Sequence, residues 1–151
     1  MKKMLVILVL LLINLPLLFA PSGGFILMIS PSPITYTYSP QDCLKAIVWV
    51  ESGNDGSGAY NRNEPQAVGK LQEWPIMVKD VNRILGYNKY TLADRLDDKK
   101  SEEMFWIYQN HYNPEMDLDK MARIWCGGPD GHTQDCTLDY LSLVKTRLIN
   151  S

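Results

Sequence analysis

The stretch that most constrains this chain runs from Ser39 to Gln72, where a capped helix is made to stop beside a long polar loop. Ser39 and Asp42 have the form of an N-cap with an acidic residue at N3. Pro40 stands at the first helical position, where a missing N–H costs nothing. Leu44, Ile47 and Val48 mark one helical face, and Glu51 falls at the next step of the same series. Ser52-Gly53-Asn54 then stops the helix. A carboxyl group is thus expected at the end of an apolar stripe, beside the negative end of the helix dipole. Desolvation and the dipole both disfavour its charged form, so a raised pKa is expected, and that is how a general acid is made. A Glu in the last turn of a helix is also an ordinary solvated residue, so its surroundings have to decide.

Those surroundings are a segment, Ser52 to Gln66, rich in Gly, Asn and Ser and too polar to be core. A long loop without secondary structure is uncommon in a small domain unless it works at a site. It carries Tyr60, Asn61, Arg62 and Glu64. Glu64 is either a second acid, holding a water or a sugar amide, or a solvated loop acid. The motif Ala67-Val68-Gly69-Lys70-Leu71-Gln72 follows. Its glycine lets backbone approach a ligand closely, and its glutamine offers both a donor and an acceptor.

A chain of 151 residues suffices for one domain with a modest core. Beyond residue 30, thirteen Lys and Arg face seventeen Asp and Glu, a net of −4 that argues against a nucleic-acid partner. At the amino terminus Lys2 and Lys3 precede an apolar run from Met4 to Ala20, broken only by Asn14 and Pro16. This is the pattern of a signal peptide over residues 1–20, or of an uncleaved anchor that would hold the chain to a membrane. Residues 21–39 read as a linker with no helical period, and residues 40–151 as the working domain. Export would place the protein in the periplasm, the cell envelope or outside the cell.

The cysteines are Cys43, Cys126 and Cys136. In an oxidising compartment Cys126 and Cys136 are able to close a short loop as a disulfide, and Cys43 reads as a small buried hydrophobe. The spacing fits no zinc pattern, and no metal or other cofactor is expected.

The remaining elements read as helices. One starts at Pro75 and ends before Gly86, with Met77, Val81, Ile84 and Leu85 inward; Thr91 and Asp94 form a capping box for a short turn. The next spans Lys99 to Asn113 and carries Met104, Ile107, Tyr108, His111 and Tyr112 on one face, stopped by Pro114. Tyr108 and Tyr112 are core residues or a platform for a sugar, and His111 reads as a hydrogen-bonded core histidine. Asp117 caps a helix with Leu118, Met121, Ala122 and Trp125 in step, which ends at Cys126-Gly127-Gly128. The last helix, from Asp135 or Thr137 to Leu148, buries Leu138, Leu141, Val144 and Leu148. No run alternates like a strand, so the domain is expected to be mainly α.

Three elements stand in order: Val50-Glu51-Ser52-Gly53, Ala67-Val68-Gly69-Lys70-Leu71-Gln72, and Ala122-Arg123-Ile124-Trp125-Cys126-Gly127-Gly128. In this the chain resembles the lysozyme-like superfamily, in particular the lytic transglycosylases and goose-type lysozymes, over residues 42 to 147. Those proteins pair a Glu-Ser, a Gly-x-x-Gln and an aromatic-Asn-x-Gly element in that order. The resemblance implies a small lysozyme-like helical domain with a glycan cleft, acting on the β-1,4 MurNAc–GlcNAc strands of peptidoglycan. It implies Glu51 as general acid and base, Ser52, Gly69 and Gln72 shaping the groove, and Trp125, Gly127 and Gly128 in the sugar-binding turn. One departure is plain: Cys126 stands where the family carries Asn, and a thiol is a poor substitute for an amide. A peptidoglycan-binding module that keeps the fold without turnover is the alternative. Oligomeric state is not legible in the sequence.

Overall fold

The computed structural model describes residues 37–53 and 66–151. The amino-terminal apolar run, the linker up to residue 36, and the loop that holds Tyr60 and Glu64 lie outside the described residues.

Among the described residues there are five α-helices: α1 (Pro40–Ser52), α2 (Pro75–Leu85), α3 (Asp98–Tyr112), α4 (Leu118–Gly127) and α5 (Leu138–Ile149). Turns of 3-10 helix lie at Leu92–Leu96, Gly131–Thr133 and Asp135–Thr137. Among the described residues the only β pairing is an isolated bridge between Val68 and Glu73, so the domain is mainly helical.

Local chemistry sets the ends of these helices. At α1 the Asp42 amide donates to Ser39 Oγ at 3.2 Å, and the Ser39 amide returns a 3.0 Å bond to the Asp42 carboxylate. The Ser39 hydroxyl, donating to Asp42 Oδ2 at 2.7 Å, and then the Ser39 amide hold the Asp42 carboxyl below its usual range. Pro75 opens α2 and Gly86 closes it, Asp97 caps α3 and Asp117 caps α4. Thr91 and Asp94 cap the Leu92–Leu96 turn reciprocally.

Two apolar clusters result. One joins α1, α4 and α5 around Leu44, Ile47, Phe105, Met121, Ala122 and Val144. Cys43 belongs to it; burial pushes its thiol up to about 12, so it behaves as an inert hydrophobe. The other packs α2 against α3 through Val78, Val81, Met104, Tyr108 and Ile124. Helices α3 and α4 serve both clusters. Two buried side chains pin α3 to α4: Gln109 Nε2 donates to Met121 O at 3.2 Å, and Asn113 Nδ2 donates to Asp117 O at 2.9 Å.

Two expectations fail at helix ends. His111, placed in the core by its spacing from Tyr108, is exposed in the last turn of α3, where no helix covers it. Leu138 opens α5 and is 46% exposed, because the α1–α5 packing begins further along the helix with Tyr140, Leu141 and Val144.

Candidate functional site

Glu51 lies in the last turn of α1, half-buried, and lines a cleft of about 970 Å³. That volume is at the upper end for ligand pockets. Tyr140, from α5, donates a hydrogen bond to Glu51 Oε1 at 2.6 Å. Desolvation, and then the charge of Glu51, hold the Tyr140 hydroxyl well above its ordinary pKa, so it stays a donor. Packing of α5 on α1 delivers this bond, which no local pattern announces.

The second element is the turn from Ala67 to Glu73. Gly69 takes φ +77, and a Cβ on it would lie 2.0 Å from Arg95 O. Only glycine fits there. Gln72 is itself in the left-handed region, at φ 48, and its Nε2 donates to Gly69 O at 2.7 Å. Arg95 fastens the turn from outside. Its guanidinium donates to Gln66 O and Glu73 O, each at 2.8 Å, and to Leu92 O at 3.0 Å. Ser52 Oγ sits 2.8 Å from Lys70 O and so ties the end of α1 to this turn. Ser52 and Gly69 thus position the two sides of the site and do not line the cleft.

An aromatic wall faces these groups. Trp125 packs on Phe105 with ring centroids 5.0 Å apart and meets Tyr108 edge-on at 6.4 Å. Tyr108 in turn lies 4.8 Å from Tyr112. Tyr112 donates to Asp80 Oδ2 at 2.8 Å and accepts from Arg83 at 2.6 Å. Trp74, 43% exposed, stands at the cleft with Ile76, both near the start of α2. Tyr108 is itself buried in the α2–α3 cluster, so Trp74, Tyr112 and Trp125 supply the ring surface open to the cleft.

The structure brings Glu51, Gln72, Tyr108, Tyr112, Trp125 and Gly128 together on one cleft. Gly127 stands behind it: a Cβ there would come within 2.7 Å of Thr137 Cγ2, so it permits close packing of the turn. Tyr60 and Glu64 are outside the described residues. Cys126 and Cys136 are free thiols in this structure, and both are exposed. Gln134 Nε2 reaches Gly127 O at 3.4 Å, and the Cys136 thiol donates to Gln134 Oε1 at 3.6 Å. Cys126 lines the cleft, and burial, then the Glu51 charge, raise its thiol pKa, which keeps it from acting as a thiolate nucleophile.

Sequence reasoning missed three residues. Tyr140 was hidden among apolar partners of α5, and Arg95 reads as a surface base on a short turn. Glu73 reads as a helix-leading acid, yet it is 1% exposed and lines the cleft, and burial pushes its carboxyl up to about 8. Among the described residues no group of three His, Cys, Asp or Glu side chains is placed to hold a metal ion. No protein family, curated protein or solved structure matches the chain.

Proposed function

We propose that this chain is an exported, lysozyme-like enzyme that cleaves the β-1,4 MurNAc–GlcNAc backbone of peptidoglycan by a lytic-transglycosylase route. The observation that carries the reading is the meeting of Glu51, Gln72 and Trp125 on one aromatic-walled cleft, with Glu51 anchored by Tyr140. The three come from the three motifs whose order carries the resemblance.

Glu51 protonates the glycosidic oxygen as the C1–O bond breaks and positive charge builds on the sugar ring. The hydrogen bond that Tyr140 donates to Oε1 holds the carboxyl in place at the cleft. Once ionised, the carboxylate takes the proton of the sugar's own C6 hydroxyl, whose oxygen closes on C1 to give a 1,6-anhydro end. The path needs one obligatory carboxyl, unlike the usual two-acid scheme. Gln72 Nε2 donates one hydrogen bond to Gly69 O, and that bond helps fix how its amide stands at the cleft.

Mass spectrometry of digested peptidoglycan tests the proposal. Anhydro ends that vanish in Glu51→Gln support it. Reducing ends instead mean that water is the acceptor and the enzyme a lysozyme. Intact strands bound equally by both proteins support the non-catalytic binding module.

A further inference from the structure

Besides Glu51 the cleft is lined by the carboxyl residues Asp80, which is bonded to Tyr112, and Glu73, of which the reaction above makes no use. Glu73 follows Gln72 directly and is 1% exposed, and neither of its carboxyl oxygens has a hydrogen-bond partner. The groups facing it are Ser101 on α3, Arg95 from the Leu92–Leu96 turn, and Lys70 across its own turn. Ser101 Oγ is also unpartnered, close to the carboxyl but not aligned with it. Arg95 is spent on the carbonyls of Gln66, Leu92 and Glu73, and Lys70 on the carboxylate of Glu102. Neither cation donates a hydrogen bond to the Glu73 carboxyl.

A neutral carboxyl is tolerated in such a place and an ionised one is not. The same few contacts hold Gln72. Val68 and Glu73 exchange backbone bonds of 3.3 and 2.9 Å, and Gln72 is kept at a positive φ that only its surroundings maintain. When Glu73 ionises, hydrating its charge requires the turn to open, and the Val68–Glu73 backbone bonds and the bonds from Arg95 to the turn are set against the demand of a bare buried charge.

We propose that Glu73 is a positioning residue: its neutral, buried carboxyl at the cleft locks the turn that presents Gln72, and its ionisation releases that turn and weakens glycan binding. The gate rests on the reading of the cleft as a glycan site, while the locking of the turn does not. On this account Glu73 sets the alkaline limit of activity although it touches no reacting atom.

The test compares the full chain with Glu73→Gln, which keeps shape and neutrality. Amide exchange at Val68 and at residue 73, corrected for intrinsic rates, is followed from about pH 6 to about pH 9.5. Binding of a soluble MurNAc–GlcNAc tetrasaccharide is measured alongside, in a Glu51→Gln background. Protection and affinity are expected to fall together in the native side chain by roughly tenfold, and to stay level in Glu73→Gln. Equal losses in both, or loss of protection with affinity unchanged, overturn the proposal. In case Glu73→Gln does not fold, the side-chain carboxyl carbon of Glu73 in the native chain must titrate at the midpoint of the protection loss; a different midpoint also overturns it. Absence of tetrasaccharide binding at every pH counts against the glycan reading, and the exchange result then decides the turn by itself.

Discussion

Tyr140 and Glu51 stand 89 residues apart and meet at 2.6 Å, so the position of the acid depends on how α5 lies on α1. A hydrogen bond to a group that ionises during the reaction is worth about 1.5–3 kcal/mol. Tyr140→Phe keeps the ring and removes the bond. Turnover is therefore expected to fall by roughly 10- to 100-fold on a defined glycan fragment, with KM nearly unchanged. A loss confined to KM would mean that Tyr140 serves binding and not the acid. Thermal unfolding of the same variant separates a disturbed α1–α5 contact from a disturbed site.

Gly69 sits against Arg95 O at a distance no Cβ can share, in a conformation that L side chains resist. Gly69→Ala must move the Leu92–Leu96 turn or the Gln72 turn, and Arg95 links the two through its bonds to Gln66 and Glu73. A loss of about 2–4 kcal/mol in urea unfolding is expected, with affinity for glycan lowered in what remains folded. A neutral result would show that the two turns move independently.

How much of this was legible follows from the reach of each signal. The Ser39–Asp42 box, Pro75 with Gly86, and Asp117 at α4 act within a few residues, and helices form where those residues stand. The apolar period likewise places Leu44, Ile47, Met121 and Val144 inside. The site is legible only along the three motifs. Tyr140 meeting Glu51, Arg95 gathering three carbonyls and Glu73 losing its water all depend on tertiary contacts between polar side chains. Their letters in a sequence read as surface.

Glu73 also fixes how stability varies with pH. Its ordinary pKa is 4.5 and the fold raises it to about 8, so between those values the native state binds more protons than the unfolded chain. Its neutral form is fully accommodated below about pH 4.5, and stability is lost as pH rises toward about 8 and levels off above it. The full difference is on the order of 5 kcal/mol, capped at the cost of opening the turn where that is smaller. Asp94 works the other way: the Lys100 ammonium and the Thr91 bonds depress its carboxyl from 3.8 to about 2, so its contribution is lost only as pH falls through that range. Stability of the native chain is therefore expected to be greatest near pH 4 to 5 as far as these two groups decide it, and to decline toward pH 8. Glu73→Gln removes that decline. Urea unfolding at about pH 5 and about pH 9 checks it: the variant gains over the native chain at the higher value and matches it at the lower. Parallel curves for the two proteins would mean that Glu73 is hydrated in the folded state, because a carboxylate in water has no reason to keep its proton at neutral pH.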